Sequence, residues 1–239
     1  MKKTGIIFVI GFSLIVLLLS SVIFMTLEKN KFTNIKVENT ADKTDVSLEK
    51  FFPLIEGKVL NYSGSADFME SLTVSKITTN SDKKTIVLKG KIVNMEEMEQ
   101  KKEQSLEYMY EIFSDYVRIT TKNSPRYPSQ SIIDSNTIIR YPLKINNSWT
   151  ERVIINGTSK ECIGTIINIT KDSDNKSIIK VQYVVNNLPK YPNNTYKEIR
   201  TYKEGLGMYE FENTILLDNE ETSSKPTPFE FKCKIYENN

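Results

Sequence analysis

The sequence predicts a mainly β fold, built as two related antiparallel sheet units behind one N-terminal transmembrane helix. Three observations predict it. Residues 5–27 form an uncharged apolar segment, and short runs rich in Ile, Val, Tyr and Thr recur from residue 51 onward between clusters of Asn, Asp, Ser and Gly. A similar series of runs then returns about ninety residues later, as expected of an internal repeat.

The apolar segment, GIIFVIGFSLIVLLLSSVIFMTL, carries no charged side chain. As a helix it would be about 34 Å long, enough to cross a hydrocarbon core of about 30 Å. Lys2 and Lys3 precede it, so the positive-inside tendency places the N-terminus in the cytoplasm and everything from Glu28 outside. We therefore expect residues 1–27 to be a cytoplasmic tip and a single-pass signal anchor in the cell membrane.

A cleaved signal peptide is the alternative for this segment. Its apolar region is usually about 7–15 residues long and ends in a small-x-small site. The segment offers such a site only around Ser20 and Ser21, and further apolar residues follow. We favour the uncleaved anchor, and either alternative places the domain outside the cytoplasm.

The rest of the chain divides by composition. Residues 28–50 are polar and predict a tether, residues 51–125 a first β unit, and residues 126–217 a second. Residues 218–239 comprise a polar linker and a C-terminal strand. In that strand apolar and charged residues alternate, which predicts one buried face formed by Phe229, Phe231, Cys233 and Ile235.

The repeat is clearest between residues 76–93 and residues 168–185. In the ungapped alignment of these segments, Leu88 matches Lys180 and Lys89 matches Val181. A shift of one residue exchanges the two faces of a strand. Either one copy carries a bulge, or the similarity is partly compositional.

Composition excludes several classes of function. The chain contains no histidine, so Ser-His-Asp or Cys-His catalysis and zinc sites with histidine ligands are excluded, and two cysteines cannot form a Cys₄ site. Once Lys2 and Lys3 are set aside, 30 basic and 30 acidic residues remain, which leaves no basic footprint for nucleic acid. We expect no cofactor, no metal and no catalytic residue.

Cys162 and Cys233 are the only cysteines. They could form a disulfide that fixes the C-terminal strand to the second unit, or they could be two buried thiols, and the sequence leaves both alternatives open. A catalytic dithiol is not expected because the C-x-x-C spacing is absent.

Aromatic residues are the other candidate binding groups. Exposed rings could contact sugars or apolar ligands, whereas rings in strands more often pack in the core. The candidates are Trp149, Tyr191, Tyr196, Tyr202 and Tyr209.

A run of acidic residues raises the alternative of a carboxylate-dependent enzyme acting on cell-wall glycans. Such an enzyme requires two acidic side chains about 5–10 Å apart across a cleft. The spacing of the run fits a solvated surface better. The acids are Glu96, Glu97, Glu99, Glu103 and Glu107.

The opening of each unit carries a related motif, FFPLIEG at residues 51–57 and YPLKINNSW at residues 141–149. Both resemble the repeated Y-x-P-L-x-x-G-x-x-W motif of uncharacterised secreted or membrane-anchored proteins from clostridia-like, low-GC bacteria, and the resemblance covers residues 51–217. Leu60 stands at the Trp position of the first copy, and Asn146 replaces Gly in the second. The resemblance implies an antiparallel sheet curled into a half-barrel, like that of periplasmic lipoprotein carriers, and assigns no functional residue.

Together these features predict an extracytoplasmic, membrane-anchored binding or structural module without catalytic activity. Its expected partners are the membrane, through the N-terminal helix, and a cell-wall, peptide or apolar ligand.

Overall fold

A computed structural model describes residues 47–65, 68–94, 104–122, 130–217 and 226–236. The predicted transmembrane helix and residues 28–46 of the predicted tether lie outside the described residues. Within the described part of the chain, no helix is long and apolar enough to span a bilayer. Residues Val46–Asn239 form one compact unit, and it is this unit whose fold follows.

The described residues form strands and two short 3-10 helices, Leu48–Phe51 and Pro192–Asn194. The strands alternate buried and exposed side chains, as strands with one face on a core do. They are β1 (Val59–Gly64), β2 (Phe68–Thr79), β3 (Lys84–Asn94), β4 (Gln104–Ile112), β5 (Tyr116–Thr121), β6 (Ser135–Arg140), β7 (Ser148–Ile155), β8 (Thr158–Lys171), β9 (Ser177–Asn186), β10 (Thr195–Lys203), β11 (Gly207–Leu217) and β12 (Thr227–Ile235).

All twelve strands belong to one antiparallel sheet, in the order β6-β5-β4-β3-β2-β1-β12-β11-β10-β9-β8-β7. The mainly β, antiparallel prediction is confirmed. The prediction of two sheet units is wrong, because the C-terminal strand β12 pairs with β11 on one side and with β1 on the other, where Tyr62 lies opposite Ile235. This strand joins the first six strands and the last six into one continuous sheet.

The sheet curls until its two terminal strands, β6 and β7, lie side by side. The backbone N–H of Thr137 on β6 donates to the Glu151 carboxylate on β7 at 2.6 Å. Tyr183 on β9 donates its hydroxyl to the Ile138 carbonyl of β6 at 2.5 Å. We call this junction the β6–β7 seam. Hydrogen bonds from side chains connect its two strands, so the sheet is nearly closed.

The consecutive antiparallel order gives the curled sheet two distinct ends. At the helix end, defined by the 3-10 helix Leu48–Phe51, the Gly205 N–H donates to the Lys50 carbonyl at 2.7 Å. The Phe52 ring packs there against Tyr110, with ring centroids 4.9 Å apart. The helix therefore belongs to the domain and covers this end. The opposite end, where β7 turns into β8 and β9 connects to β10, is the loop end.

The buried face of β12 is largely as predicted. Phe231, Cys233 and Ile235 are buried, whereas Phe229 remains 37% exposed. Phe229 shares their face but lies nearest the loop end, beyond the packed core.

The two hairpins that resembled each other in sequence have matching backbone contacts. The Gly57 N–H donates to the Val74 carbonyl, and the Asn146 N–H donates to the Ile166 carbonyl, both at 2.8 Å. Gly57 and Asn146 both have positive φ, 82° and 68°, a conformation that Gly and Asn tolerate best. A register shift then follows Val74 on β2 and Ile166 on β8.

The one-residue offset between these hairpins arises in their turns. In the turn after β2, the Asn80 N–H donates to the carbonyl of Lys83, three residues along the chain. In the turn after β8, the Asp172 N–H donates to the carbonyl of Lys176, four residues along, so this turn is one residue longer. An extra turn residue shifts the following strand without exchanging its faces. Buried Leu88 therefore corresponds to buried Val181.

Candidate functional site in the polar half of the sheet interior

The sheet interior is apolar near the helix end. In the half nearer the loop end, which we call the polar half, buried polar side chains lie among apolar ones. At the helix end, Phe52, Ile86, Ile179 and Tyr202 are buried. The polar half contains buried carboxylate, guanidinium and amide groups, which are rarely buried unless paired. We call the following residues the interior polar cluster: Glu70, Tyr108, Gln130, Ser131, Tyr196, Glu198, Arg200 and Asn213.

Strand geometry places these side chains inside. Tyr196, Glu198 and Arg200 are spaced by two along β10, so they share the interior face, and Asn213 lies opposite Glu198 on β11. Glu70 on β2 shares its face with buried Leu72 and Val74, which extends the buried register with a carboxylate.

A short segment, residues 130–134, connects the cluster across the interior. The Gln130 amide donates to the Tyr108 hydroxyl at 3.3 Å, while the Asn213 amide donates to the Gln130 carbonyl at 3.4 Å. The Ser131 hydroxyl accepts from Arg200 at 3.1 Å. This segment therefore links β4 to β10 and β11, which the strand order places in the other half of the sheet.

Glu198 and Arg200 form a fully buried ion pair with an N···O distance of 2.5 Å. The Tyr196 hydroxyl donates to the other Glu198 oxygen at 2.7 Å, and the guanidinium lies 5.0 Å from the centre of the Tyr183 ring. Burial lowers the pKa of Arg200, but the Glu198 charge and neighbouring tyrosines raise it well above its ordinary value. Arg200 therefore remains charged.

Glu70 is 6% exposed and has no cationic partner among the contacts that the structure gives for it. Burial raises its pKa to about 8, against a smaller lowering by the hydrogen bond with Tyr108. Its Oε1 atom accepts no hydrogen bond from the described part of the chain. At neutral pH Glu70 is therefore mostly protonated, and it can donate or accept one further hydrogen bond.

Two buried oxygen atoms of the cluster, Glu70 Oε1 and Asn213 Oδ1, accept no hydrogen bond from the described residues. Nearer the loop end, Leu217 and Phe229 are 42% and 37% exposed on the interior face of β11 and β12. Apolar side chains beside a few polar groups are typical of small-molecule sites.

The predicted aromatic residues occupy packed positions. Trp149, Tyr196 and Tyr202 are buried, so they form no exposed stacking platform. Tyr191 packs edge-on against Tyr196, with ring centroids 5.2 Å apart. The Lys203 ammonium lies over the Tyr209 ring, 5.2 Å from the ring centre. Of the two alternatives, the geometry supports packing.

Cys162 and Cys233 are both free and buried, which is the second of the two alternatives. They lie on β8 and β12, with three strands between them in the sheet. Burial raises the pKa of Cys162 to about 12, and burial followed by the Glu70 charge raises the pKa of Cys233 further. Both thiols should be poor nucleophiles because the thiolate is the reactive form.

Of the predicted acidic run, only Glu107 lies in the described residues, and it pairs with Lys122 at 3.3 Å. Among those residues, no group of three or more Cys, Asp and Glu side chains is placed to hold a metal. Sequence reasoning missed Glu70, Glu198 and Arg200. Their signal is charge at positions where the strand alternation requires an apolar residue.

No family model and no curated protein matches the chain in sequence. Two solved structures are similar to it in fold. One is a candidate lipoprotein from Parabacteroides distasonis ATCC 8503, with a TM-score of 0.48, 13% identity, and coverage of 77% of this chain and 96% of its own. The other is a candidate exported protein with a YmcC-like fold from Bacteroides fragilis NCTC 9343, with a TM-score of 0.42, 11% identity and the same coverages, 77% and 96%.

Proposed function

We propose that this chain is a non-enzymatic binding module, held at the cell membrane by an uncleaved N-terminal anchor with its β domain outside the cytoplasm. The observation that carries the proposal is the uncharged segment at residues 5–27, preceded by Lys2 and Lys3. The interior polar cluster supports the binding role. The resemblance to membrane-anchored proteins of low-GC bacteria fits the same location.

The ligand site is the polar half of the sheet interior, reached from the loop end. A ligand places an apolar part against Leu217 and Phe229 and a hydrogen-bonding group against Glu70 or Asn213. The rest of the cluster holds these groups in position and does not bind the ligand, because Glu198 and Arg200 already neutralise each other. The two halves of the sheet are copies of one ancestral unit, which the shared hydrogen bonds at Val74 and Ile166 favour.

Labelling of single cysteines on cells without a wall tests the topology. The native thiols are buried, so an added Thr158→Cys, exposed at the start of β8 at the loop end, provides the reactive site. A membrane-impermeant maleimide should label this variant on intact cells, and a Lys2→Cys variant only after lysis. Labelling in the reverse pattern contradicts the proposal, and recovery of a shortened chain in the medium supports the cleaved signal peptide instead.

Photo-crosslinking tests the ligand site. A photoreactive phenylalanine analogue at position 229 should form an adduct on intact cells, and the matched position 154, exposed on the outer face of β7, should not. The adduct at 229 should disappear in an Asn213→Ala background and persist with Glu161→Gln, an exposed change on β8. Equal adducts at both positions would exclude the interior face as the site.

A further inference from the structure

Four large aliphatic side chains are exposed at the helix end. Ile55 and Ile145 are 68% and 50% exposed, and Leu54 and Val59 are exposed beside Ile55. The other large apolar side chains that are exposed among the described residues lie toward the loop end, and they are Ile154, Leu217 and Phe229. Single exposed apolar residues are ordinary, but a group at one end of a domain indicates a contact surface.

The two loops that carry these side chains have fixed backbones. In the first rim loop (residues 54–58), the Glu56 carboxylate accepts the Ile77 N–H at 2.7 Å, and the Lys58 ammonium donates to the Gly205 carbonyl at 2.9 Å. In the second rim loop (residues 143–147), the Asn147 N–H donates to the Lys144 carbonyl at 3.1 Å. Backbone and polar groups hold both loops, while their isoleucines face solvent.

The two rim loops lead into β1 and β7, which are six places apart in the twelve-stranded order. Because the sheet is nearly closed, they lie on opposite sides of the helix end, with the 3-10 helix Leu48–Phe51 packed at that end. The isoleucines can therefore meet one flat surface together.

The chain enters the domain at this same end, at Ser47. Residues 28–46 separate it from the uncharged segment. A linker of nineteen residues spans at most about 65 Å even when fully extended. Such a linker raises the effective concentration of the helix end at the bilayer to the millimolar range.

We propose that the helix end docks on the outer surface of the phospholipid bilayer, with Ile55 and Ile145 inserted at the boundary between headgroups and acyl chains. This inference rests on the membrane anchor of the proposed function. The rim loops carry charges of both signs, Glu56, Lys58 and Lys144, so apolar insertion drives the contact and it does not require anionic lipid. Docking leaves the loop end facing away from the membrane.

Fluorescence quenching in reconstituted vesicles tests this surface. The full chain is inserted into phosphatidylcholine vesicles whose acyl chains carry bromine, with an environment-sensitive fluorophore on Ile55→Cys, Ile145→Cys or the control Thr158→Cys at the loop end. The bromolipid should quench the fluorophore at positions 55 and 145 at least about threefold more than at 158, and salt should not remove the difference.

A second set of variants separates apolar insertion from mere proximity. With the fluorophore on Lys144→Cys, the change Ile55→Asn should reduce quenching by roughly half or more, whereas Ile154→Asn on the outer face of β7 should not. Protein that still floats with the vesicles after alkaline extraction, but shows equal quenching at positions 55, 145 and 158, would contradict the docking and remain consistent with the membrane anchor. Protein that no longer floats overturns both.

Discussion

Glu151 on β7 accepts the backbone N–H of Thr137 on β6 at 2.6 Å, and so joins the two ends of the strand order. Its other carboxylate oxygen accepts the Thr137 hydroxyl at 3.3 Å. A terminal strand normally presents unpaired backbone groups, which invite association with other chains. Here one side chain occupies such a group, and the seam closes without a full backbone ladder.

Glu151→Ala should therefore weaken the seam. Removal of the carboxylate leaves the Thr137 N–H without its partner, and the expected loss is about 1–3 kcal/mol in the free energy of unfolding. Urea denaturation measures this loss, and hydrogen exchange should show faster exchange of the Thr137 amide. Glu161→Ala, an exposed change on neighbouring β8, is the control and should be nearly neutral. Equal effects of the two changes would refute the role of Glu151.

Trp149 and Gly164 form a matched cross-strand pair, as Leu60 and Leu72 do in the first half. A Cβ atom on Gly164 would lie 2.4 Å from the indole ring of Trp149. Gly164→Ala should therefore cost about 1–3 kcal/mol through overpacking. In the Gly164→Ala background, the second change Trp149→Leu should restore about 1 kcal/mol or more of the free energy of unfolding, which is a favourable coupling in a double-mutant cycle. Strictly additive losses would show that the indole does not require this glycine.

The strands and their turns could be predicted from local pattern, because alternation and turn residues are properties of short segments. The C-terminal strand shows this, since its two faces are as predicted, although Phe229 is exposed at the end of the otherwise buried face. The closure of the sheet could not be predicted, since pairing of β12 with β1 joins residues far apart in sequence. The offset between Leu88 and Val181 was also hidden, because an extra residue in a turn changes no composition.

The candidate site was harder to predict than the fold. Tyr196 and Tyr202 stood out by residue type, but strand alternation alone does not say whether a ring is buried in the sheet interior. No motif in the sequence distinguishes Glu70 and Glu198 from surface acids, although each occupies a buried register position. The segment of residues 130–134, which contacts Tyr108, Arg200 and Asn213, has no regular structure, and no periodicity marks such a segment.

The buried thiols should be unreactive in the folded protein. Burial raises the pKa of both Cys162 and Cys233, so little thiolate forms at neutral pH. A thiol reagent should modify neither residue in native protein and both in urea, while an added Thr158→Cys reacts at once. A band that migrates faster without reductant would instead establish the disulfide.

The Glu198–Arg200 pair should tolerate removal of both charges better than removal of one. Glu198→Gln leaves a buried guanidinium without its counter-charge, and the expected loss of stability is about 3–5 kcal/mol. The double change Glu198→Leu with Arg200→Met removes both buried charges and should cost less than the single change. Thermal and urea unfolding compare the two, and a larger loss in the double variant would contradict this account.

Glu70 should make stability fall as the pH rises from about 5 to about 8. Folding raises its pKa to about 8 because the carboxyl is buried, so the folded state holds the proton more tightly than the unfolded chain does. The stability linked to this proton is complete below the ordinary pKa of 4.5 and is lost as the pH rises through the folded value. The slope is about 1.4 kcal/mol per pH unit for one such group. Asp172, Glu204 and Glu212 have lowered pKa values, so they act only at lower pH. In Glu70→Gln the free energy of unfolding should be independent of pH over this range, and near pH 8 it should be higher than that of the natural chain. The control Glu161→Gln should keep the slope of the natural chain. An unchanged slope in Glu70→Gln would show that another group holds the proton.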